Sequence, residues 1–305
     1  MLEETLGEED GVLPEQRAIV RHAGAGAEAV GEHHQHVARV EGLVLAEHPR
    51  GVALVQAEDE LASINQIIGA SYGGVPSLTA TAGPGLALMT EGIGLAVAAE
   101  VPIVVVDVMR GGPSTGIPAK SEQSDLSFAV DGLHGDAPRL VLAPNGIADC
   151  LATSEWAVQL AEALQSPALL LSDQFMGQSR AVIDQPTQAP VPAQRLVAAA
   201  HTEGYQRYAD TPSGVSPMAI PGTPGITYTA DGLEHTERGI PSSQARDHVK
   251  QLDKRLRKLM QHDYGSRWAD IEGDAELLLG CVGLAGKGRL LVRGVRRARP
   301  SRRRP

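Results

Sequence analysis

The sequence predicts an α/β protein built on a doubly wound parallel sheet. Short apolar segments alternate with segments of helical length through the middle of the 305-residue chain. One of them, VPIVVVDVM (101–109), has too few polar positions for a strand with one face in water. A strand that is apolar on both faces belongs in the centre of a parallel sheet with helices packed on both sides. These two observations define the expected fold class.

Five strands are predicted, and each is bounded by turn residues or by a helix. They are GVALVQ (51–56), SLTAT at the start of 77–85, VPIVVVDVM (101–109), RLVLAP (139–144) and PALLLSD (167–173). Helices are predicted between them. In the first, Leu61, Ile64, Ile67 and Ile68 fall at helical spacing before Gly73-Gly74, while 86–100 is apolar nearly all round and 146–165 follows the fourth strand.

Differences in composition and periodicity divide the chain into four parts. Residues 1–50 hold no lasting period of 2 or 3.6, and 51–178 form the α/β domain. A proline-spaced connector, 179–270, contains a charged helix over 242–265, in which Leu252, Leu256 and Leu259 make a narrow apolar stripe. Residues 271–305 resemble the start of an incomplete second α/β domain followed by a basic tail.

Composition excludes several classes of protein. A hydrophobic fraction of 42% is enough for a sizeable core, whereas 3% aromatic residues do not suit a single-strand nucleic-acid binder. No apolar run approaches the ~18 residues of a membrane span, and the acidic first residues are not typical of a signal peptide. Cys150 and Cys281 lie too far apart in sequence for a cysteine-ligated cluster. We expect a cytoplasmic metabolic protein that binds neither nucleic acid nor membrane.

The basic residues are concentrated at the end of the chain. From Gly286 onward there are eight arginines and one lysine without an acid, so the rest of the chain has 18 basic residues against 37 acidic ones. A basic arm is one interpretation of this tail; we favour the hypothesis that it is out-of-frame translation, which resequencing the locus tests. The histidines His33, His34 and His36 are interpreted as a solvated run rather than a metal site.

Candidate functional residues follow three of the predicted strands. Glu58 lies just past the first, the turn Gly83-Pro84-Gly85 follows the second, and Arg110 begins the loop after the third. Ligands of open α/β sheets bind at the carboxyl ends of the strands, where such residues converge. Each has a plainer interpretation: Glu58, like Asp59 or Glu60, suits a helix N-terminus, the glycines suit an ordinary turn, and Arg110 suits a structural ion pair. Leu88 stands where a dinucleotide fingerprint needs its third glycine.

Spacing adds a resemblance to a known family. Glu58 and Ala62, followed by Thr81 through Gly85, resemble the pyrimidine-binding domain of thiamin-diphosphate enzymes. The segment RGGPSTGIPAKSEQSDL (110–126) is similar to the α subunit of 2-oxoglutarate:ferredoxin oxidoreductases, within the 2-oxoacid:ferredoxin oxidoreductase family. Later segments, among them SPMAIPG, EHTERG and DKRLRKL, are similar to that subunit as well, so that the resemblance runs from Gly51 to Leu279.

The resemblance implies half of an active site. In such enzymes, thiamin diphosphate lies between this domain and a β subunit that carries the diphosphate site, magnesium and an iron–sulfur cluster. The complex decarboxylates 2-oxoglutarate oxidatively, transfers succinyl to coenzyme A and passes electrons to ferredoxin. The implied residues are Glu58 as the catalytic carboxylate, Glu58, Thr81, Gly83, Pro84 and Gly85 as cofactor contacts, and Arg110 and Thr115 as substrate contacts. No metal is expected on this chain, which would be active only with its β subunit.

The chain also departs from the family pattern. No YPITP-like segment precedes Gly51, and Ala119 stands where the family loop commonly has threonine. The second domain stops within its first strand. Two alternatives therefore stay open: a relative that acts on pyruvate or branched-chain 2-oxoacids, and a non-catalytic assembly partner that docks on β without turnover. A sheet without its first β–α unit is expected to expose an edge strand.

Overall fold

The computed structural model describes residues 17–22, 37–40, 43–48, 52–183 and 192–265. The strands in these ranges are β1 (Arg17–His22), β2 (Val37–Val40), β3 (Leu43–His48), β4 (Val52–Ala57), β5 (Ser77–Thr81), β6 (Val104–Met109), β7 (Leu140–Leu142) and β8 (Ala168–Asp173). The helices are α1 (Glu60–Tyr72), α2 (Gly85–Ala98), α3 (Leu126–Asp131), α4 (Asp149–Leu164), α5 (Gln174–Gln178) and α6 (Ala245–Met260). None of the helices described is both long and apolar enough to cross a membrane.

The strands form one mixed sheet in the order β2-β3-β4-β1-β5-β6-β8-β7. All pairs from β4 to β7 along this order are parallel, and β2 and β3 add an antiparallel edge next to β4. The predicted parallel sheet is confirmed for these strands. Helices cover both faces, because one apolar cluster joins the sheet to α1 and α2 and a second joins it to α4 and α6.

All five predicted strands and the helices between them are present. The segment predicted to be central is β6, which lies between β5 and β8. Its consecutive residues Val104 and Val105 are both buried, one in each apolar cluster. This is the two-sided burial that an all-apolar strand requires. The short helices α3 and α5 were not predicted.

The strand β1 corrects the interpretation of the first fifty residues. Sequence analysis finds no element there, yet β1 pairs in parallel with both β4 and β5. The expectation of an edge left open by a missing first unit is therefore wrong, since β1 fills that place. Its sequence RAIVRH has only three apolar residues between arginines, too few to show a period. The sheet thus crosses the predicted boundary at residue 50, while the predicted second domain and tail from 271 lie outside the described residues.

The connector packs closely against the α/β domain. Arg195 donates two hydrogen bonds of 2.7 Å to the Glu162 carboxylate of α4 and a third of 2.5 Å to the carbonyl of Ser71 in α1. Further along, Arg207 is fully buried and donates to the Glu100 carbonyl at 2.8 Å. Because a guanidinium presents several fixed donors, each arginine joins the connector to helices on the domain.

Helix α6 buries a charged face. Of the predicted stripe, Leu259 is buried but Leu256 is 49% exposed, so the apolar stripe does not decide how the helix packs. Instead, Lys254 and Lys258 reach the Glu100 carboxylate, with nitrogen–oxygen distances of 2.5 Å and 2.9 Å. Lys258 also donates to the Gln165 carbonyl at 2.6 Å. The helix is therefore anchored by ion pairs in the interior.

Burial alone would raise the pKa of Glu100 by penalising its charge. The positive charges of Lys258, Lys254 and Arg207 outweigh this penalty and hold its pKa well below the usual range. Glu100 is therefore ionised, and it is the acceptor on which the buried charges of Lys254 and Lys258 depend.

We predict that Glu100→Gln destabilises the fold, because it leaves two buried lysines without their carboxylate. Removing one partner of a buried ion pair typically costs about 3–5 kcal/mol. The free energy of unfolding of the full chain in urea measures this effect. Glu91→Gln, on the exposed side of helix α2, which ends two residues before Glu100, is the matched control. Equal stability of the two variants would contradict the role given to Glu100.

Candidate functional site

The candidate site lies at the edge of the sheet where the parallel strands end. Strands β5 and β6 are neighbours, and β4 lies two positions from β5 because β1 stands between them. The predicted residues Glu58, Gly83-Pro84-Gly85 and Arg110 all follow these strands directly. The expected convergence at the carboxyl edge is thus present in the backbone.

The Glu60 carboxylate lies beside the glycine turn. Glu60 is half-buried in the first turn of α1, and the Thr81 hydroxyl at the end of β5 donates to its Oε1 at 3.3 Å. Asp59 caps the helix by accepting the amide of Ala62 at 2.6 Å, which fixes the first turn. A Cβ at Gly85 would overlap Thr81 Oγ1 and lie 2.5 Å from Glu60 Oε1. Only glycine therefore fits beside this carboxylate.

Glu58 occupies a different environment. It lies in the bend between β4 and α1 and is exposed to solvent. No contact joins it to the glycine turn among the hydrogen bonds that the structure describes. Its assignment as the catalytic carboxylate stays a prediction, and the geometry favours Glu60, two residues further on. Sequence analysis had named Glu60 only as a carboxylate suited to a helix N-terminus.

The turn Gly83-Pro84-Gly85 connects β5 to α2. Gly83 has a φ of +56°, and its amide donates to the Val108 carbonyl of β6 at 3.2 Å. A Cβ at Gly83 would lie 2.7 Å from Cγ and 3.0 Å from Nε of Arg110. The turn is therefore held against β6, and the Arg110 side chain lies directly over it.

The Arg110 side chain is half-buried, and its Nε has no hydrogen-bond partner within the described part of the chain. The loop that it begins is closed by its own backbone, with Gly111 donating to Lys120 O at 3.2 Å and Ile117 to Gly111 O at 2.9 Å. Thr115 and Ala119 are both exposed on this loop. The structure thus brings Arg110 to the glycine turn but leaves Thr115 at the surface.

Asp107 is a further polar residue of the site that sequence analysis missed. It is completely buried on β6, in register with Thr81 of β5. The Gly83 amide faces it but donates to the Val108 carbonyl, so neither carboxylate oxygen has a hydrogen bond of good geometry in the described ranges. Burial, helped by the negative charge of Asp125, raises the pKa of Asp107 to about 8, against the lowering effects of the Gly83 amide and Arg110. The one signal in the sequence was an acid inside an otherwise apolar strand.

These features define a class of protein. A parallel sheet whose carboxyl edge holds a half-buried carboxylate, a glycine cradle and a guanidinium is an α/β domain that binds a small organic ligand or cofactor.

Comparison with known proteins identifies the family. Residues 27–254 match the family described as pyruvate flavodoxin/ferredoxin oxidoreductase, thiamine diphosphate-binding, and the chain belongs to it. The 2-oxoacid:ferredoxin oxidoreductase subunit alpha of Saccharolobus solfataricus is 38% identical over 236 residues, or 76% of this chain and 37% of that protein. The 2-oxoglutarate oxidoreductase subunit KorA of Mycobacterium tuberculosis is 40% identical over 235 residues, or 75% and 35%.

A solved structure gives the same result. The 2-oxoglutarate:ferredoxin oxidoreductase from Magnetococcus marinus, with 2-oxoglutarate, coenzyme A and succinyl-CoA bound, matches at 36% identity and a TM-score of 0.69. The match covers 86% of this chain and 45% of that one. The resemblance and the fold class inferred from the sequence are confirmed. The matches span less than half the length of each of these three relatives.

The residues at this edge fit the aminopyrimidine half of thiamin diphosphate. Gly85 has no Cβ, which lets the Thr81 hydroxyl and the Glu60 carboxylate lie directly against the turn. A carboxylate there is a suitable acceptor for a protonated ring nitrogen. Among the residues described, no group of three or more His, Cys, Asp or Glu side chains could hold a metal ion.

The glycine cradle generates a paired prediction. Gly85→Ala should lower the thermal stability of the full chain, because the new methyl group overlaps Thr81 and displaces Glu60. Gly94→Ala in the same helix meets nothing within 4 Å, and it should raise stability by up to about 1 kcal/mol through helix propensity. Thermal unfolding of both variants measures the contrast. A Gly85→Ala chain as stable as Gly94→Ala would show that the cradle is not closely packed.

The raised pKa of Asp107 predicts a pH-dependent stability. The folded chain keeps a proton on Asp107 that the unfolded chain releases, so this contribution is complete below 3.8 and disappears as pH rises through about 8. Compared with Asp107→Asn, the wild type should therefore lose free energy of unfolding between about pH 4 and about pH 8. Urea unfolding across this range tests it, with the exposed Asp131→Asn as control. If the free energy of unfolding changed with pH in the same way for the wild type and Asp107→Asn, the raised pKa of Asp107 would be contradicted.

Proposed function

We propose that this chain supplies the pyrimidine-binding half of the active site of a 2-oxoacid:ferredoxin oxidoreductase that acts on 2-oxoglutarate. The observation that carries the proposal is the cluster of Glu60, Thr81 and Gly85, with Arg110 lying over the same glycine turn. It places an acceptor for a heterocycle and a cation for a carboxylate next to each other. The substrate named for the Magnetococcus marinus enzyme, 2-oxoglutarate, is consistent with this arrangement.

Glu60 is the carboxylate proposed to hold the cofactor ring. Bound thiamin diphosphate supplies the electron sink that decarboxylation of a 2-oxoacid needs. Glu60 would accept a charge-assisted hydrogen bond from the protonated ring nitrogen. Thr81 orients the carboxylate by donating a hydrogen bond to its Oε1. Gly83, Pro84 and Gly85 bring the backbone close without a side chain in the way. Glu58 remains the alternative at the same edge.

Arg110 is proposed to hold the substrate carboxylate, for which a guanidinium offers two parallel donors. Its half-buried position over Gly83 places it beside the proposed ring site. Thr115 is proposed as a weaker, surface contact that approaches the ligand from the loop. Ala119 offers no hydroxyl, so selection of the 2-oxoacid by this loop rests on other groups.

The partners are part of the proposal. The relatives are named as α subunits, and we propose that a β subunit contributes the diphosphate site, magnesium and the iron–sulfur cluster. Coenzyme A would accept the succinyl group and ferredoxin the electrons, in the cytoplasm. Pyruvate and branched-chain 2-oxoacids are the competing substrates.

The test is reconstitution with the β subunit, followed by assay of dye reduction that depends on 2-oxoglutarate and coenzyme A. Glu60→Gln should lower kcat at least ~100-fold, since it removes the proton acceptor, whereas the exposed Glu58→Gln should have a much smaller effect. The reverse ranking would assign the ring contact to Glu58. Faster turnover of pyruvate would correct the substrate. A stable complex without any turnover would identify an assembly partner and overturn the proposal.

A further inference from the structure

Two groups of opposite charge beside the glycine turn have buried polar atoms that make no hydrogen bond of good geometry among the described residues. One is the Asp107 carboxyl, completely buried on β6; the other is Nε of Arg110, three residues further on. Buried polar atoms are normally satisfied, because leaving them unpaired costs free energy. An unpaired acceptor and an unpaired donor so close to a ligand site call for a functional explanation.

The surroundings of Asp107 determine its charge state. The groups that face it are Arg110 at the end of its own strand, the Gly83 amide from the turn, Asp125 ahead of α3, Thr81 with Glu60 on the β5 and α1 side, and apolar Leu171 on β8. Asp125 is itself close to Arg110 and to Glu122. Acids therefore outnumber cations in this set, and Arg110 is its one guanidinium.

This imbalance creates competition for Arg110. If Asp107 were ionised, Arg110 would be the cation available to neutralise it, and Asp125 already draws on the same guanidinium. A ligand carboxylate that arrived at Arg110 would then meet two like charges. If Asp107 is protonated, the guanidinium keeps its capacity to bind an external anion.

We propose that Asp107 competes with the substrate carboxylate for Arg110, so that an anionic 2-oxoacid binds the form of the site in which Asp107 carries a proton. This inference rests on the proposed function, in which Arg110 holds that carboxylate. Asp107 is a positioning residue in this scheme, because it acts through Arg110. The proton stays on Asp107 while the ligand is bound, and ionisation of Asp107 weakens binding.

The pH dependence follows from linkage. With a pKa of about 8 for Asp107, the site is competent at neutral pH. Above that value, KM for the 2-oxoacid should rise about tenfold for each pH unit, as expected when one proton is required. The carboxylates of the substrate are fully ionised throughout this range, so the rise reports on the protein.

The experiment measures KM for 2-oxoglutarate and kcat of the reconstituted complex between about pH 6.5 and about pH 9.5. Wild type should show a KM that is flat and then rises above about pH 8, and Asp107→Asn should remove the rise. Asp125→Asn should move the rise to lower pH, because the charge of Asp125 helps to raise the pKa of Asp107. Asp131→Asn, exposed at the end of α3, should keep the wild-type profile.

A flat wild-type profile would overturn the inference, and so would a rise that persists in Asp107→Asn or one that Asp125→Asn moves to higher pH. Any of these results would leave the 2-oxoacid activity itself intact. Complete absence of that activity in the wild-type complex would instead overturn the proposed function. Urea unfolding of the wild type and of Asp107→Asn gives a readout that needs no activity. A stability difference showing that wild-type Asp107 keeps its proton at neutral pH supports the inference.

Discussion

The parallel register of β5 and β6, in which Thr81 lies beside Asp107, is the constraint on which the candidate site depends. Paired residues of neighbouring parallel strands present their side chains on the same face of a sheet. Here that face is the one covered by α1 and α2, so the Thr81 hydroxyl meets Glu60 at the start of α1. Two residues later, the chain turns through Gly83 against β6. A shift of β5 by one residue would turn Thr81 to the opposite face of the sheet and separate it from Asp107 and Glu60.

Much of this architecture could be predicted from the sequence, because its strands are apolar runs between clear turn signals. The identity of the buried carboxylate could not. Glu60 is the first residue of α1, whereas Glu58 lies in the bend before the extended N-cap Asp59, so two positions in sequence put the two side chains in different environments. The spacing between a glutamate and the glycine turn does not show which of the two glutamates faces that turn. Only the cap at Asp59 and the contact with Thr81 place Glu60 beside the turn.

Other parts of the fold escape pattern analysis for a different reason. The periodicity of α6 indicated an apolar stripe, but the helix buries Lys254 and Lys258 because Glu100 is buried across from them. The partner is 154 residues away along the chain, and no local pattern signals it. Strand β1 is likewise set by its two neighbours in the sheet rather than by its own short sequence. Both errors arise because contacts between distant parts of the chain determine the structure where the local sequence pattern does not.

At the proposed site, one edge of the sheet has to present a negative charge and a positive charge close together. In the proposed function, a ring that carries a proton needs the negative charge of Glu60, and a substrate carboxylate needs the positive charge of Arg110. If every acid near the turn were ionised, they would neutralise Arg110 and leave nothing for the substrate. Burial of Asp107 favours its neutral form, which in our proposal leaves Arg110 available to the substrate. The same burial that makes Asp107 costly to ionise thus keeps the two charges of the site separate, with Glu60 and Arg110 on either side of the glycine turn.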